Sequence, residues 1–178
     1  STPANYFHML RTQAYKRPRK PLIAFTPKQL LRLSAASSHL DEFTSGAFQP
    51  VIGDDTITDP ASVTRVLLCS GRLYYDLVKE REHRGDTSTA IIRLEQLYPL
   101  PEAEVAEVLA QYPNASVTWV QDEPRNQGAW PHLALNLFPS LGRAVRVVSR
   151  PESATTAAGR ASLHKEQAAT LIAQAFEG

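Results

Sequence analysis

The sequence is poor in several features that would restrict its function. Cys69 is the only cysteine among 178 residues, so the chain has no internal disulfide and no cysteine-based zinc site. The longest apolar runs reach about five residues, far short of a membrane span, and no signal-peptide pattern is present. The net charge is +1, which gives no long-range attraction to nucleic acid or anionic lipid. The single cysteine suits a reducing, cytosolic compartment.

The composition is that of a folded domain. Hydrophobic residues make up 43% and charged residues 21%, enough to build one sizeable core. A helical pattern begins at once, with Thr2 as cap and Pro3 in the first turn, and no methionine precedes it. We therefore expect a domain of a larger protein and an incomplete enzyme. The basic segment from Tyr15 to Pro21 predicts a boundary, and its lack of interleaved aromatics disfavours a nucleic-acid site.

Short apolar strands alternate with amphipathic helices along most of the chain. This order predicts an α/β fold in which a mostly parallel five-stranded sheet carries helices on both faces, as in Rossmann-like three-layer domains. Residues 34–60 are irregular, with one helical turn near Leu40 to Phe43. The predicted strands are Leu22–Phe25, Arg65–Ser70, Thr89–Leu94, Val117–Gln121 and Val145–Val148. The predicted helices after the first are Lys28–Leu33, Gly71–His83, Pro101–Gln111, Trp130–Phe138 and Ser162–Phe176.

Polar residues cluster where these strands end, which is where such sheets bind ligands. A structural interpretation competes at each position, since Thr26 and Ser70 suit helix caps, and Arg93 can pair with Glu95. Cys69 is more typical of a small buried apolar residue than of a nucleophile. No phosphate loop, nucleophile elbow or metal-spaced histidine pair occurs. The sequence therefore predicts no catalytic, cofactor-binding or metal residue.

One segment, Trp119-Val-Gln-Asp-Glu-Pro-Arg-Asn-Gln-Gly-Ala-Trp130, is dense in aromatics, carboxylates and amides. Carboxylates at a strand end followed by amides and a large aromatic favour a subunit or domain interface. The predicted interface residues are Glu123, Asn126, Gln127, Gly128 and Trp130, together with His164 of the last helix.

The same segment resembles the carboxy-terminal region of the thiamine-diphosphate-dependent decarboxylating subunit of 2-oxoglutarate dehydrogenase, a transketolase-like family. Four other stretches agree in order: Ser1 to Arg11, Lys20 to Arg32, Cys69 to Leu77, and Ile92 to Pro101. The closing His164-Lys-Glu-Gln167 is also similar. The resemblance covers nearly the whole chain.

The resemblance implies a domain plan and an activity. Residues 1–20 would be the terminal helix and linker of a preceding pyrimidine-type thiamine-binding domain, and residues 21–178 the transketolase-like carboxy-terminal domain. The full bacterial, cytoplasmic enzyme would use thiamine diphosphate and magnesium to decarboxylate 2-oxoglutarate in the citric acid cycle. It would then succinylate a lipoyl-bearing succinyltransferase. This chain would be inactive alone, lacking the cofactor motif, and would pack against its own catalytic domains and help form a homodimer.

The resemblance also implies a regulatory nucleotide, acetyl-CoA or AMP, near the junction with the catalytic part. The implied residues are Arg93 first, then Arg11, Ser45, Gly46 and Gln49. Gly46 and Gln49 stand where the acetyl-CoA-responsive mycobacterial members carry serine and arginine, which counts against control by acetyl-CoA. Three alternatives stay open: the same domain of a 2-oxoadipate dehydrogenase, a stand-alone ligand- or subunit-binding module, and a free-standing enzyme working at the strand ends.

Overall fold

The computed structural model describes residues 1–177 and divides into two compact units, Ser1–Pro50 and the part from Val51 onward. The predicted boundary after Lys20 refers to the domains of a longer protein, and it stays a prediction. No helix among the described residues is both long and apolar enough to cross a membrane.

The first unit is built around helix α1 (Pro3–Tyr15). Thr2 caps the helix as predicted, because its Oγ1 accepts a hydrogen bond from the backbone N–H of Asn5 at 3.1 Å. A 3₁₀ helix follows at Lys28–Arg32, and the short helix α2 spans Leu40–Thr44 near the predicted position. Thr26 does not cap the 3₁₀ helix, whose preceding residue is Pro27.

The predicted strand Leu22–Phe25 is wrong as a description of this structure. The segment is not in a strand or helix, and residues 21–29 are all exposed. The physical reason is that a strand exists only when its backbone pairs with a neighbour, and no described residue pairs with this one.

The second unit holds a five-stranded sheet in the order β1-β3-β2-β4-β5. Strands β2, β3, β4 and β5 run parallel, and the two-residue strand β1 pairs antiparallel with β3. The strands are β1 (Val51–Ile52), β2 (Arg65–Cys69), β3 (Thr89–Leu94), β4 (Ser116–Pro124) and β5 (Val145–Arg150). The helices are α3 (Leu73–Arg84), α4 (Glu102–Ala110), α5 (Trp130–Asn136) and α6 (Ala161–Ala175). Short 3₁₀ helices lie at Pro60–Ser62 and Phe138–Leu141.

This architecture confirms the predicted fold class, although the antiparallel β1 takes the place of Leu22–Phe25 among the five strands. Two hydrophobic clusters cover the two faces of the sheet, because successive strand residues point to opposite sides. On one face Val66, Leu68 and Trp119 pack with α4 and α5. On the other, Leu67 and Cys69 pack with α3 and α6. Helices on both sides make the three-layer arrangement.

A buried ion pair fixes the chain that follows β1 to the sheet. Asp54 and Arg81 are 9% and 8% exposed, and the Arg81 guanidinium donates to the Asp54 carboxylate. The same carboxylate accepts from the Ile91 backbone N–H at 2.8 Å and from Thr56 Oγ1 at 2.6 Å. The Asp54 side chain therefore accepts the hydrogen bond from a β3 backbone N–H that a longer β1 would otherwise accept.

Candidate functional site

The polar residues at the carboxyl ends of the strands are largely paired with one another. Arg72, just before α3, donates to Asp76 at 2.6 Å and to Asp122 at the end of β4 at 3.1 Å. Burial acts to lower the pKa of Arg72, but the two carboxylates outweigh it and raise that pKa. Ser70 does not cap α3, whose cap position is Arg72.

Arg150 at the end of β5 completes this network from the other side. It is 7% exposed, and its Nε donates to the backbone carbonyl of Asp122. Its Nη1 lies 3.3 Å from His164 Nδ1. Because an arginine can only donate, His164 Nδ1 must carry the lone pair in this contact. The ends of β4 and β5 are thus joined to α3 and α6 by one connected set of ion pairs and hydrogen bonds.

Gln121 organises the turn between β4 and α5. It is 3% exposed, and its Oε1 accepts from Trp119 Nε1 at 3.0 Å and from the Trp130 backbone N–H at 2.8 Å. Its Nε2 donates to the carbonyls of Pro124 at 3.0 Å and Gln127 at 2.7 Å. The buried amide therefore uses both its acceptor and its donor side, and it fixes the shape of the turn.

Two of the predicted interface residues join the β4–α5 turn to the loop after β5. Asn126 Nδ2 donates to the Ser153 carbonyl at 3.0 Å, and its Oδ1 accepts from the Ser153 N–H at 3.1 Å. Gln127 Nε2 donates to the same carbonyl at 2.8 Å and to that of Thr155 at 3.3 Å. These amides already have partners within the second unit, and an interface role for them stays a prediction.

The other predicted interface residues are Gly128 in the same turn, Glu123 in β4, Trp130 at the start of α5 and His164 in α6. Gly128 has φ +65°, and a Cβ on it would lie 2.9 Å from the Cβ of Glu123, so glycine is required there. Glu123 is exposed. Trp130 is half-buried, with its ring centroid 5.7 Å from that of Phe138. The end of β4, the turn and the start of α5 therefore carry Glu123, Asn126, Gln127, Gly128 and Trp130 in succession.

In the first unit, α1 holds the loop that carries three of the predicted regulatory residues. Arg11 Nη2 donates to the Gly46 carbonyl at 2.7 Å. Asn5 holds Gln49 through two hydrogen bonds, at 3.1 Å to its carbonyl and 2.8 Å from its N–H. Ser45 Oγ donates to the Asp41 carbonyl at 2.9 Å. Arg11, Ser45, Gly46 and Gln49 are thus gathered on one loop and one helix.

Arg93, the first-ranked regulatory residue, lies in the second unit on β3. It is 7% exposed, and its guanidinium carbon lies 4.0 Å from the centroid of the Tyr74 ring, a close cation–π contact. Its Nε is buried and has no hydrogen-bond partner among the residues that the structure describes. Burial raises the pKa of Tyr74 even though Arg93 acts to lower it. A buried guanidinium with an unused donor is suited to an anion.

Cys69 has the structural role that the sequence favoured. Its side chain is fully buried, and Sγ lies 3.8 Å from the carbonyl of Ile92. Burial raises the pKa of the thiol to about 12, although Arg93 acts to lower it. The thiol is therefore protonated at neutral pH and cannot serve as a nucleophile.

The residues present do not fit thiamine diphosphate and magnesium. The metal would need several oxygen ligands, and residues 1–177 contain no group of three or more His, Cys, Asp or Glu able to hold an ion. The carboxylates of Asp76 and Asp122 at the strand ends are both engaged by Arg72.

Sequence reasoning missed Gln121, Arg150 and the ion pair of Arg72 with Asp122 as the residues that hold this region together. The signal for Gln121 was an amide placed directly after the apolar run of β4, and the structure buries it together with that run. Arg150 offered a similar signal, since a buried arginine at a strand end needs a nearby acceptor.

The fold and the site together define a class: a three-layer α/β domain whose strand ends are occupied by structural ion pairs. Comparison with known proteins then places it. The family model "2-oxoglutarate dehydrogenase C-terminal" matches residues 37–176, so the chain belongs to this family.

Three relatives match over 99% of the chain. It is 46% identical to the "2-oxoglutarate dehydrogenase E1/E2 component" of Corynebacterium glutamicum and 44% identical to the "2-oxoglutarate dehydrogenase E1 component" of Azotobacter vinelandii. It is 42% identical to the "Multifunctional 2-oxoglutarate metabolism enzyme" of Mycolicibacterium vanbaalenii. The chain spans only 15%, 19% and 15% of these relatives, respectively.

Proposed function

We propose that the chain is the carboxy-terminal structural domain of a thiamine-diphosphate-dependent 2-oxoglutarate dehydrogenase first component that acts in the citric acid cycle of a bacterial cytoplasm. The observation that carries the proposal is the 41–46% identity to 2-oxoglutarate enzymes along 99% of the chain. The thiamine diphosphate and magnesium sites, which the residues here do not fit, would lie in the part of the longer relatives that this chain does not cover.

In this proposal the domain contributes packing surface and no reacting group. Its partners are the catalytic domains of its own polypeptide, a second subunit in a homodimer, and a lipoyl-bearing succinyltransferase. The β4–α5 turn carries three of the predicted interface residues, Asn126, Gln127 and Gly128. The side chains of Gln121, Asn126 and Gln127 hold it in place through hydrogen bonds. A rigid, exposed turn suits a contact that must form without reordering the chain.

The test compares the isolated chain with the full-length polypeptide of the same gene. With thiamine diphosphate, magnesium and an artificial electron acceptor, we expect the full-length protein to turn over 2-oxoglutarate and the isolated chain to show none. Assays with 2-oxoadipate in parallel decide between the two substrates. Turnover by the isolated 178 residues would refute the structural role, and inactivity of the full-length protein on both acids would refute the assignment to this reaction.

We also propose that a nucleotide phosphate of acetyl-CoA or AMP binds at Arg93. The unused Nε donor of a buried guanidinium supports the proposal, and the face of Tyr74 holds that guanidinium in place. Arg11 with residues 45–49 of the first unit forms a second candidate, and Arg11 already donates to the Gly46 carbonyl.

Calorimetry of the full-length enzyme with each nucleotide tests this regulatory site. We expect Arg93→Lys to weaken binding about tenfold or more, because lysine keeps the charge and loses the planar donor set. The matched control is Arg125→Lys, the same substitution at an exposed arginine, which should leave nucleotide binding unchanged. Unchanged affinity in the Arg93 variant would exclude this arginine, and equal weakening by both variants would indicate a general charge effect.

A further inference from the structure

Three arginines line one cavity at the amino ends of the central strands. The cavity has a volume of about 480 Å³, and its lining includes Arg65 at the start of β2, Arg143 just before β5 and Arg146 within β5. Residues 115–118, at the start of β4, form its floor, and no aspartate or glutamate lines it among the residues that the structure describes. Cavities of this size are typical of sites for small molecules.

The sheet register places two of these arginines on one face. Arg65 lies opposite Ser116 of β4, and Thr118 of the same strand lies opposite Arg146. Alternate residues of a strand point to the same side, so both arginines point to the side that carries α3 and α6. Only β4 separates β2 from β5, so their backbones lie two strand spacings, about 10 Å, apart across the sheet. A group bound between them can contact both side chains.

Neutral groups hold the side chains of Arg143 and Arg146 in place. Arg143 donates to three carbonyls at and after the end of α4, among them that of Tyr112 at 3.4 Å. Arg146 Nη2 donates to two carbonyls at the end of α6, and the shorter bond, 2.8 Å, goes to Glu177. A carbonyl fixes a guanidinium without cancelling its charge, whereas a carboxylate would cancel it. Both arginines are therefore oriented and still positively charged toward a ligand.

Arg65 is the member of the set whose charge is partly compensated. Its Nη1 lies 3.5 Å from Thr89 Oγ1. Burial acts to raise the pKa of Asp86, and the positive charge of Arg65 is one of the causes that lower it. Asp86 does not line the cavity, so the side chains that do line it remain positive as a group.

A purely structural role competes with ligand binding. A cation near the last carbonyls of a helix is favourable in itself, because that end of the helix dipole is negative. This role accounts for Arg143 at α4 and for Arg146 at α6, each taken alone. It does not account for the convergence of both on one cavity with Arg65, since like charges that share a site repel one another.

We propose that Arg65, Arg143 and Arg146 form a binding site for the phosphate group of a small molecule. Phosphate oxygens accept paired hydrogen bonds from the planar fork of a guanidinium, and two negative charges offset the repulsion among the three arginines. Arg146 has donors to spare, because its Nε and Nη1 make no hydrogen bond within residues 1–177. The site is distinct from that proposed at Arg93, which lies toward the carboxyl end of β3.

Arginine labelling with phenylglyoxal, read out by mass spectrometry, tests the proposal in the full-length polypeptide. The probe is inorganic phosphate, and the protein is first saturated with thiamine diphosphate and magnesium so that the probe does not occupy a cofactor site. At equal ionic strength, about 10 mM phosphate should slow the labelling of Arg146 at least about fivefold relative to chloride, as a dissociation constant of about 2.5 mM or below requires. Arg160, an exposed arginine outside the cavity, is the control and should react equally in both salts.

Two outcomes of this wild-type experiment would overturn the proposal. Equal labelling of Arg146 in phosphate and chloride would show that the arginines serve the helix ends only. Equal protection of Arg146 and Arg160 would show a general effect of the anion. Neither outcome depends on the folding of a variant.

Substitutions then test whether the arginines share one ligand. In Arg65→Gln, phosphate should slow the labelling of Arg146 less than about twofold, because one of the three cations is gone. Arg160→Gln is the matched control and should keep the full protection. Arg93→Lys should keep it as well, which separates this site from the nucleotide site. Full protection of Arg146 in Arg65→Gln, or its loss in Arg93→Lys, would contradict a shared site at these three residues.

Discussion

Replacing Asp54 with alanine should destabilise the second unit more than any substitution of an exposed acidic residue. The carboxylate accepts from Arg81, from the Ile91 N–H and from the Thr56 hydroxyl, and all of these contacts are lost together. Removing one partner of a buried ion pair costs about 3–5 kcal/mol, because the other charge stays buried without compensation. Arg81 keeps its bond to the Thr89 carbonyl at 3.1 Å, which moderates the loss. We therefore expect about 4 kcal/mol.

Urea denaturation followed by tryptophan fluorescence measures this change. Trp119 is fully buried in the same sheet, so its emission reports unfolding of the second unit. With a slope of about 2 kcal/mol per molar urea, the midpoint should fall by roughly 2 M. The matched control is Asp55→Ala, an exposed neighbour of the same type, which should change stability by less than about 0.5 kcal/mol.

A double variant separates the buried charge from the lost packing. Asp54→Ala leaves the Arg81 cation buried without its carboxylate, and Arg81→Met removes that cation. The double variant should therefore be more stable than Asp54→Ala alone by at least about 1 kcal/mol. Additive losses would show that the two side chains are not coupled. An Asp54→Ala loss below about 1 kcal/mol would refute the burial argument itself.

Three further perturbations test other parts of the structure. In thermal unfolding, Gly128→Ala should lower stability by about 1–2 kcal/mol more than Gly142→Ala. Both glycines have positive φ, but only at Gly128 would the added Cβ clash with Glu123. Equal losses of stability would contradict this. Cys69 should not react with a thiol reagent until the protein unfolds, since burial raises its pKa to about 12, and labelling of the folded chain would disprove its inertness. Although burial acts to raise it, hydrogen bonds from Thr89 and Ser88 hold the pKa of Asp86 below its usual range. Asp86→Ala should therefore lose on the order of 1 kcal/mol at neutral pH, with the difference from wild type fading as pH falls from about 4 through the lowered pKa; a constant difference would exclude this origin.

The sequence predicted the parallel strands well because their signal is local. The apolar stretches of β2 and β3 are short, continuous and bounded by turn residues, and their predicted limits lie within one residue of the observed ones. Helix α1 was predicted from its cap and proline for the same reason. The residues that determine each of these elements lie within the element or directly beside it.

The first strand was predicted wrongly because pairing is not local. Leu22–Phe25 has the apolar character of a strand, but no described residue offers its backbone a partner. Val51–Ile52 has almost no pattern of its own, and it pairs with Leu94 and Arg93, some forty residues away in sequence. The nearby Asp54 network that holds this region is equally invisible to a periodicity argument.

The polar strand ends were predicted as a group, but their connections were not. The sequence placed polar side chains at neighbouring strand ends, since parallel strands end at one edge of the sheet. Which of these side chains pair depends on the distances between them across the sheet, and those distances are known only from the three-dimensional structure. The glutamine that fixes the β4–α5 turn was missed because an amide has no periodicity to reveal it.

The buried amide of Gln121 has a consequence for how this surface can diverge. The Gln121 side chain donates and accepts the hydrogen bonds that fix the backbone of the turn, and Arg125 on the outside of that turn is exposed. The outward residue can therefore be exchanged while the backbone beneath it keeps its course. A surface supported in this way can acquire a new binding preference by substitution at its exterior without first having to find a new conformation.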